Sequence, residues 1–364
     1  MARIALWLVS LLLVSLASHP ARAVGEGVDG FPNWAERALH QLANRARVDP
    51  QLEMQSCGPN CGEKACYAPE APLYYKHALN RSARFHAAHQ SRNGYFAHNS
   101  ACTLVADVDA RFPDTCNGDA SCSCVGGVKA CSGSCTAWDA RIQLFGSGGS
   151  GEIIATPSDP ESAFYLWLFE PSSAPACSFS QTNGHRWLLL RASGAVGFGV
   201  SGYSVGDFSS GGDLHEIPSG SHWPRQADSV ETWASYYADA GPRAARVDVD
   251  GVCAPMNLAR GTAQNGAYQA IVSSVGSGCH RYYFQFETDG GELVTFPETG
   301  SLGIGPAGSC PDWSSERPPS GTGCANVPEP ADAASGAVAL AALVALHPAR
   351  RRSVSRGART RSGA

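Results

Sequence analysis

Apolar residues recur at helical spacing in three stretches of the chain and at alternate positions in others. FPNWAERALHQLANRARVDP, residues 31–50, repeats Trp34, Leu39 and Leu42, with Pro32 at the entrance and Pro50 as the stop. APLYYKHALNRSARFHAAHQSRNG, residues 71–94, carries Tyr75, Leu79, Ala83 and His86/Ala87 at the same spacing and closes on Asn93-Gly94. SDPESAFYLWLFEPS opens on Ser158 or Asp159 as N-cap, has Pro160 and Glu161 in its first turn, and ends at Pro171. The period then changes to two. Val196, Phe198 and Val200 alternate with Gly197 and Gly199, which predicts a strand with one bare face that a helix or another backbone can approach closely. NGHRW, ahead of it, sets His185 in a polar turn that opens the last sheet segment of this region.

From about Pro242 the texture is that of strands rich in Val, Tyr and Phe between Asp-Gly, Asn-Gly and Gly-Gly turns. HRYYFQFET alternates Tyr282, Phe284 and Phe286 with Tyr283, Gln285 and Glu287. Its tyrosines are candidates for a carbohydrate platform, although sheet aromatics more often serve as core or cross-strand pairs. Cys253 and Cys279 are candidates for a bridge within it. The expectation is an α+β chain: an α-β-α sandwich followed by a small all-β sandwich domain. The boundaries are a first domain at 31–204 with a cysteine-rich insertion at about 101–140, a connecting segment at 205–241, the β domain at 242–307, and a linker at 308–326.

The ends read as addresses. Arg3, the apolar run from Ile4 to Ala17 and Ala21-Arg22-Ala23 make residues 1–23 a secretory signal peptide, too short in its core for a membrane span. The 14 cysteines, an even number crowded between Cys57 and Cys135, then predict a disulfide framework rather than metal ligation. Residues 327–364 join Val327-Pro328-Glu329-Pro330, an apolar run from Ala333 to Leu346 and an arginine cluster at 350–352. This resembles the PEP-CTERM sorting signal of Gram-negative bacteria, which implies an exosortase-type processing enzyme as partner. A plain C-terminal anchor is the alternative. Localisation is therefore expected to be extracellular or on the outer surface. Both ends are basic. The full chain has a formal charge of −5, and setting the ends aside leaves 19 basic against 32 acidic residues, about −13. Such a surface disfavours nucleic acid and anionic membranes.

Four ionisable residues stand at element ends: His98 in GYFAHNS, Glu152 in GSGGSGEIIA, Glu170 closing YLWLFE and His185 in NGHRW. Singly, each has a plain explanation: a histidine past a helix can bond its last carbonyls, and Glu152 can be a solvated loop end. Their order and flanking residues, with LANRARVDP ahead of them, resemble the CAP superfamily (SCP-like domains of cysteine-rich secretory, antigen-five and pathogenesis-related class 1 proteins) over residues 32–202. The resemblance implies an open cleft lined by His98, Glu152, Glu170 and His185. The sequence departs from it at Ile153 and at Trp187-Leu188, where the family pattern has asparagine, and in the long cysteine-laden stretch after His98.

Two imidazoles and two carboxylates suit a divalent metal such as zinc, with His98 and His185 as ligands and the glutamates as ligands or supports. The same groups can activate water, or merely order the cleft. No G-x-S-x-G or H-E-x-x-H occurs, and Ser100 is near His98 only in sequence. The leading expectation is a non-catalytic module that binds an extracellular lipid, sterol, protein or polysaccharide. A metal-assisted hydrolase of peptide bonds and a structural envelope or biofilm-matrix protein are the alternatives.

Overall fold

A computed structural model describes residues 24–127, 135–172, 177–212, 215–273 and 275–319. The expected signal peptide and sorting tail, and part of the cysteine-rich insertion, lie outside them. The helices are α1 (Trp34–Val48), α2 (Pro50–Glu53), α3 (His77–Asn93), α4 (Val108–Arg111), α5 (Ala120–Ser123), α6 (Trp138–Leu144), α7 (Pro160–Leu168) and α8 (Gly184–Arg191). The strands begin with β1 (Tyr74–Tyr75), β2 (Gly151–Ala155), β3 (Ala195–Ser201), β4 (Tyr203–Ser209), β5 (Ser219–Trp223), β6 (Ser229–Tyr237) and β7 (Ala244–Val249). They continue with β8 (Val252–Pro255), β9 (Asn257–Gly261), β10 (Asn265–Ser273), β11 (His280–Glu287), β12 (Leu293–Phe296), β13 (Ser301–Ile304) and β14 (Trp313–Ser314).

Local signals explain the longer helices. Asn33 caps α1 and exchanges bonds with Glu36 in a capping box. Asp159 caps α7 through Ser162 N, with Pro160 in the first turn. Gly94, left-handed at φ 62°, ends α3. The first sheet runs β1-β3-β4-β2, parallel only at β1–β3. Its bare face meets α3: a methyl on Gly197 or Gly199 would strike the backbone at Asn80 or Arg84. On the other face Val196, Phe198 and Phe208 share a core with Leu39 and Ala43 of α1, Trp167 of α7 and Leu189 of α8.

The second sheet runs β5-β6-β10-β9, and the third runs β14-β13-β11-β7-β8 with β12 paired to β11. They share one core, in which Val230, Ala234, Tyr236 and Tyr268 meet Val247, Tyr282, Phe284 and Phe286. The outer face of the second sheet rests on α1. Asn44 Nδ2 donates to Ser219 Oγ (3.0 Å), Gln41 Nε2 donates to Ser235 Oγ (3.2 Å), and Trp34 Nε1 donates to the His222 carbonyl (3.0 Å). Trp34 also stacks on Trp223 at 5.2 Å between ring centroids. Helix α1 therefore lies between two sheets and is buried nearly all round.

This arrangement corrects the expected fold class. The chain is mostly β, with three sheets of four, four and six strands and few helices, and it is not an α-β-α sandwich carrying a small β domain. The strands beyond the first sheet start at Ser219, extend to Ser314 and share α1 with it. The chain divides by its contacts at Val327, so all described residues belong to one unit.

Three local expectations also change. His185 sits in the first turn of α8, not in a turn opening a strand, because GHRWLLLR coils. Cys279 pairs with Cys310, not with Cys253. Tyr282 and Tyr283 are buried and belong to the interior rather than to a surface platform. Further bridges among the described residues join Cys57–Cys61, Cys66–Cys177, Cys102–Cys124 and Cys116–Cys122, consistent with an extracellular protein. Among the described residues no helix is long and apolar enough to cross a membrane.

Several histidines are neutral parts of this interior. Burial pushes His40 down to about 4, although its Nε2 lies 2.8 Å from the Leu73 carbonyl. It pushes His222, bonded to Tyr282 Oη and the Arg225 carbonyl, down to about 3. The unfolded chain takes up these protons near pH 6.5 and the folded chain does not, so stability falls as pH drops from about 6.5 toward 4. Each group contributes about 1.4 kcal/mol per pH unit in that window. Urea titrations at pH 7, 5.5 and 4.5 should show a steadily falling midpoint; a flat profile would contradict the neutral burial of both rings.

Candidate functional site

The chain past α3 turns back over the helix that it leaves. Gln90 Oε1 accepts from Ala97 N (3.0 Å), and the buried His86 ring bonds the Ala97 carbonyl at 2.9 Å. These bonds fix His98. Its own carbonyl accepts from Arg141 Nη1 of α6 (2.9 Å). Its Nδ1 lies 2.9 Å from Oε1 of Glu152, and Glu152 Oε2 is bonded by Arg141 Nη2. Glu152 comes from β2, directly across the sheet from Asp207 of β4.

A second pair is built the same way. Glu170 follows the end of α7. Its Oε1 accepts the Arg186 backbone N–H (2.8 Å), and its Oε2 lies 2.8 Å from His185 Nδ1. The Arg186 guanidinium is wholly buried. It bonds the Leu168 and Glu170 carbonyls and the Glu63 carboxylate, so it ties the end of α7 to α8 and to the disulfide-bearing loop around Cys61 and Cys66.

Exposure separates the roles. The Glu152 and Glu170 side chains are 1% and 12% exposed, whereas His98 and His185 are 47% and 33% exposed. The carboxylates are therefore supports and the imidazoles are presented outward. In each ring Nδ1 is engaged by a carboxylate, which orients the ring. Burial, then the charges of His185 and Arg141, hold His98 below the ordinary imidazole value.

Beneath the first pair lies a buried charge cluster that the sequence did not reveal. Arg141 is fully buried between Glu152 and Asp207. Burial raises Asp207 above the usual carboxylate range against the downward pull of Arg141. No motif marks Arg141; a lone arginine in WDARIQL reads as a solvated helix position.

All four expected residues thus occur as two His–Glu pairs. They do not bring three donor atoms within 4.8 Å of one another; among the described residues only His89, Cys102 and Cys124 do. Those two sulfurs are joined in a disulfide, so that cluster is not a thiolate site. Ser100 is fully buried and offers no nucleophile beside His98.

No family model and no curated protein matches this chain. One solved structure, described as "Crystal structure of Br derivative BhCBM56", aligns over 26% of this chain and 97% of its own length at 17% identity with a TM-score of 0.19. A likeness at that score carries no argument about fold or function.

Removing the Arg141 cation leaves two buried carboxylates, Glu152 and Asp207, without their counterion. Arg141→Met should destabilise the chain by about 3–5 kcal/mol. Chemical denaturation at pH 7 measures this; a loss below about 1 kcal/mol would show that Arg141 does not hold the pair.

Proposed function

We propose that the protein is an extracellular, non-catalytic ligand-binding module whose site is formed by the His98–Glu152 and His185–Glu170 pairs. The observation that carries this reading is their common build: each partly exposed imidazole has Nδ1 on a carboxylate that is itself held by a buried arginine or its backbone. The two imidazoles are donors of the kind zinc takes, so the reading includes a divalent cation held by His98 and His185 with the glutamates behind them, a pair of ligands that ligand groups or water would have to complete. Bound there, the ion would supply an electrophilic contact for an acceptor group of the ligand. The protein's own residues orient the rings and balance the buried charge.

Kinship with the CAP superfamily belongs to this proposal for the motif-bearing stretch alone. The order of His98, Glu152, Glu170 and His185 supports it, as does their pairing. Export and surface sorting through residues 1–23 and 327–364, with an exosortase-type enzyme as the processing partner, complete the reading. The disulfides support its extracellular setting.

Elemental analysis of the chain after zinc loading and washing is the test, beside the His98→Ala/His185→Ala double variant. Stoichiometric zinc in the parent and none in the variant is the expected result. No retained zinc in the parent, or equal zinc in both, would remove the metal from the proposal.

A further inference from the structure

A groove on another part of the molecule has the chemistry of a binding site. It lies beside α1, between α7 and the outer face of the second sheet, and encloses about 670 Å³, within the range of ligand pockets. Gln41 and Tyr165 form its helical wall, and Trp223, Glu231, Trp233 and Gln269 form its floor. The floor is a consequence of register. Trp223 stands opposite Glu231, and Trp233 stands opposite Gln269, so all four side chains share one sheet face.

The groove is long. A depression of about 270 Å³ continues it past Leu52, Tyr165 and Arg260, and one of about 400 Å³ continues it past Ala259 and Gln269. Its charges nearly cancel, with Arg45 and Arg260 against Glu53, Glu161 and Glu231. Arg45 is held by Glu53 through bonds of 3.0 and 2.6 Å and lies 5.1 Å from the Trp233 ring centroid. Arg260 stands with Glu161 and Glu231 in the same lining. Glu231 Oε2 accepts from Trp233 Nε1 and from Gln269 Nε2, both at 3.0 Å, and this fixes the carboxylate on the floor.

We infer that this groove binds a neutral saccharide chain. Aromatic side chains interleaved with fixed carboxylate, amide and guanidinium groups match a ligand that alternates C–H faces with hydroxyl donors and acceptors. With one more carboxylate than cation, the lining gives an anionic polymer no net attraction. A peptide laid in by strand addition would pair with an edge strand, β5 or β9, whereas the floor is made of side chains on the sheet face. A lining that mixes aromatic with charged and amide side chains suits a saccharide rather than a lipid tail. The inference does not depend on the His–Glu pairs.

Native electrophoresis of the purified chain through gels containing a soluble β-glucan, a xylan, a mannan or a dextran tests it. At least one polymer should retard migration. Glu231→Ala and Gln269→Ala should each weaken that retardation about tenfold, as expected for a lost hydrogen-bonding contact to the ligand. Thermal melts confirm that the variants remain folded. His98→Ala/His185→Ala should leave retardation unchanged. No retardation by any of the four polymers, or retardation that survives both groove variants, overturns the inference. So does binding of an unstructured peptide pool that the same variants abolish while the glycans have no effect, which would assign the groove to peptide.

Discussion

The structure depends on one helix whose polar side chains are buried on both sides. A buried polar group left unpaired costs about 1–3 kcal/mol, so α1 fits its place only because its partners come from separate parts of the chain. Asn44 exchanges bonds with the Leu73 backbone on one side and donates to Ser219 Oγ on the other. Glu36 receives Arg84 of α3 and the Val200 backbone N–H of the first sheet. Arg47 reaches the Ala71 and Leu189 carbonyls, while Gln41 faces Ser219 and Ser235 of the second sheet. Neither half of the chain satisfies the helix alone. That reciprocity makes the described residues one unit.

The two His–Glu pairs follow the same logic on a smaller scale. Carboxylates turned inward need partners, and Arg141 and Arg186 supply them, the one as a buried cation and the other through its backbone N–H. Arg141 bonds Glu152 directly, whereas Arg186 uses its backbone N–H for Glu170 and spends its guanidinium on Glu63 and two carbonyls. The histidines are thereby aimed from rigid supports although they lie at the surface. The groove over the second sheet is positioned by α1 as well, through Gln41 and Arg45.

The local punctuation of this fold was legible. Asp159 and Pro160 start α7, Gly94 ends α3, and Gly197 and Gly199 admit the α3 backbone, because each of these roles is dictated by one residue's own conformational limits. The alternation in HRYYFQFET likewise became β11. What stayed hidden was carried by pairings between distant residues. Strand β5 buries Ser219, Ser221 and His222, which give no hydrophobic alternation to read, and its contact with α1 is polar. The expected fold class fails for that reason: the sheet that grips α1 does not announce itself. The four residues of the His–Glu pairs stand out through their order along the chain, while Arg141 and Asp207, beneath one pair, have no local mark.

The claim that α1 is shared by both parts of the chain is tested most directly by scanning calorimetry of the oxidised protein at pH 7. The account predicts one transition whose calorimetric and van't Hoff enthalpies agree, because losing either sheet strands the polar side chains of α1. Two resolved transitions, with residues 219–314 melting apart from the rest, would contradict it.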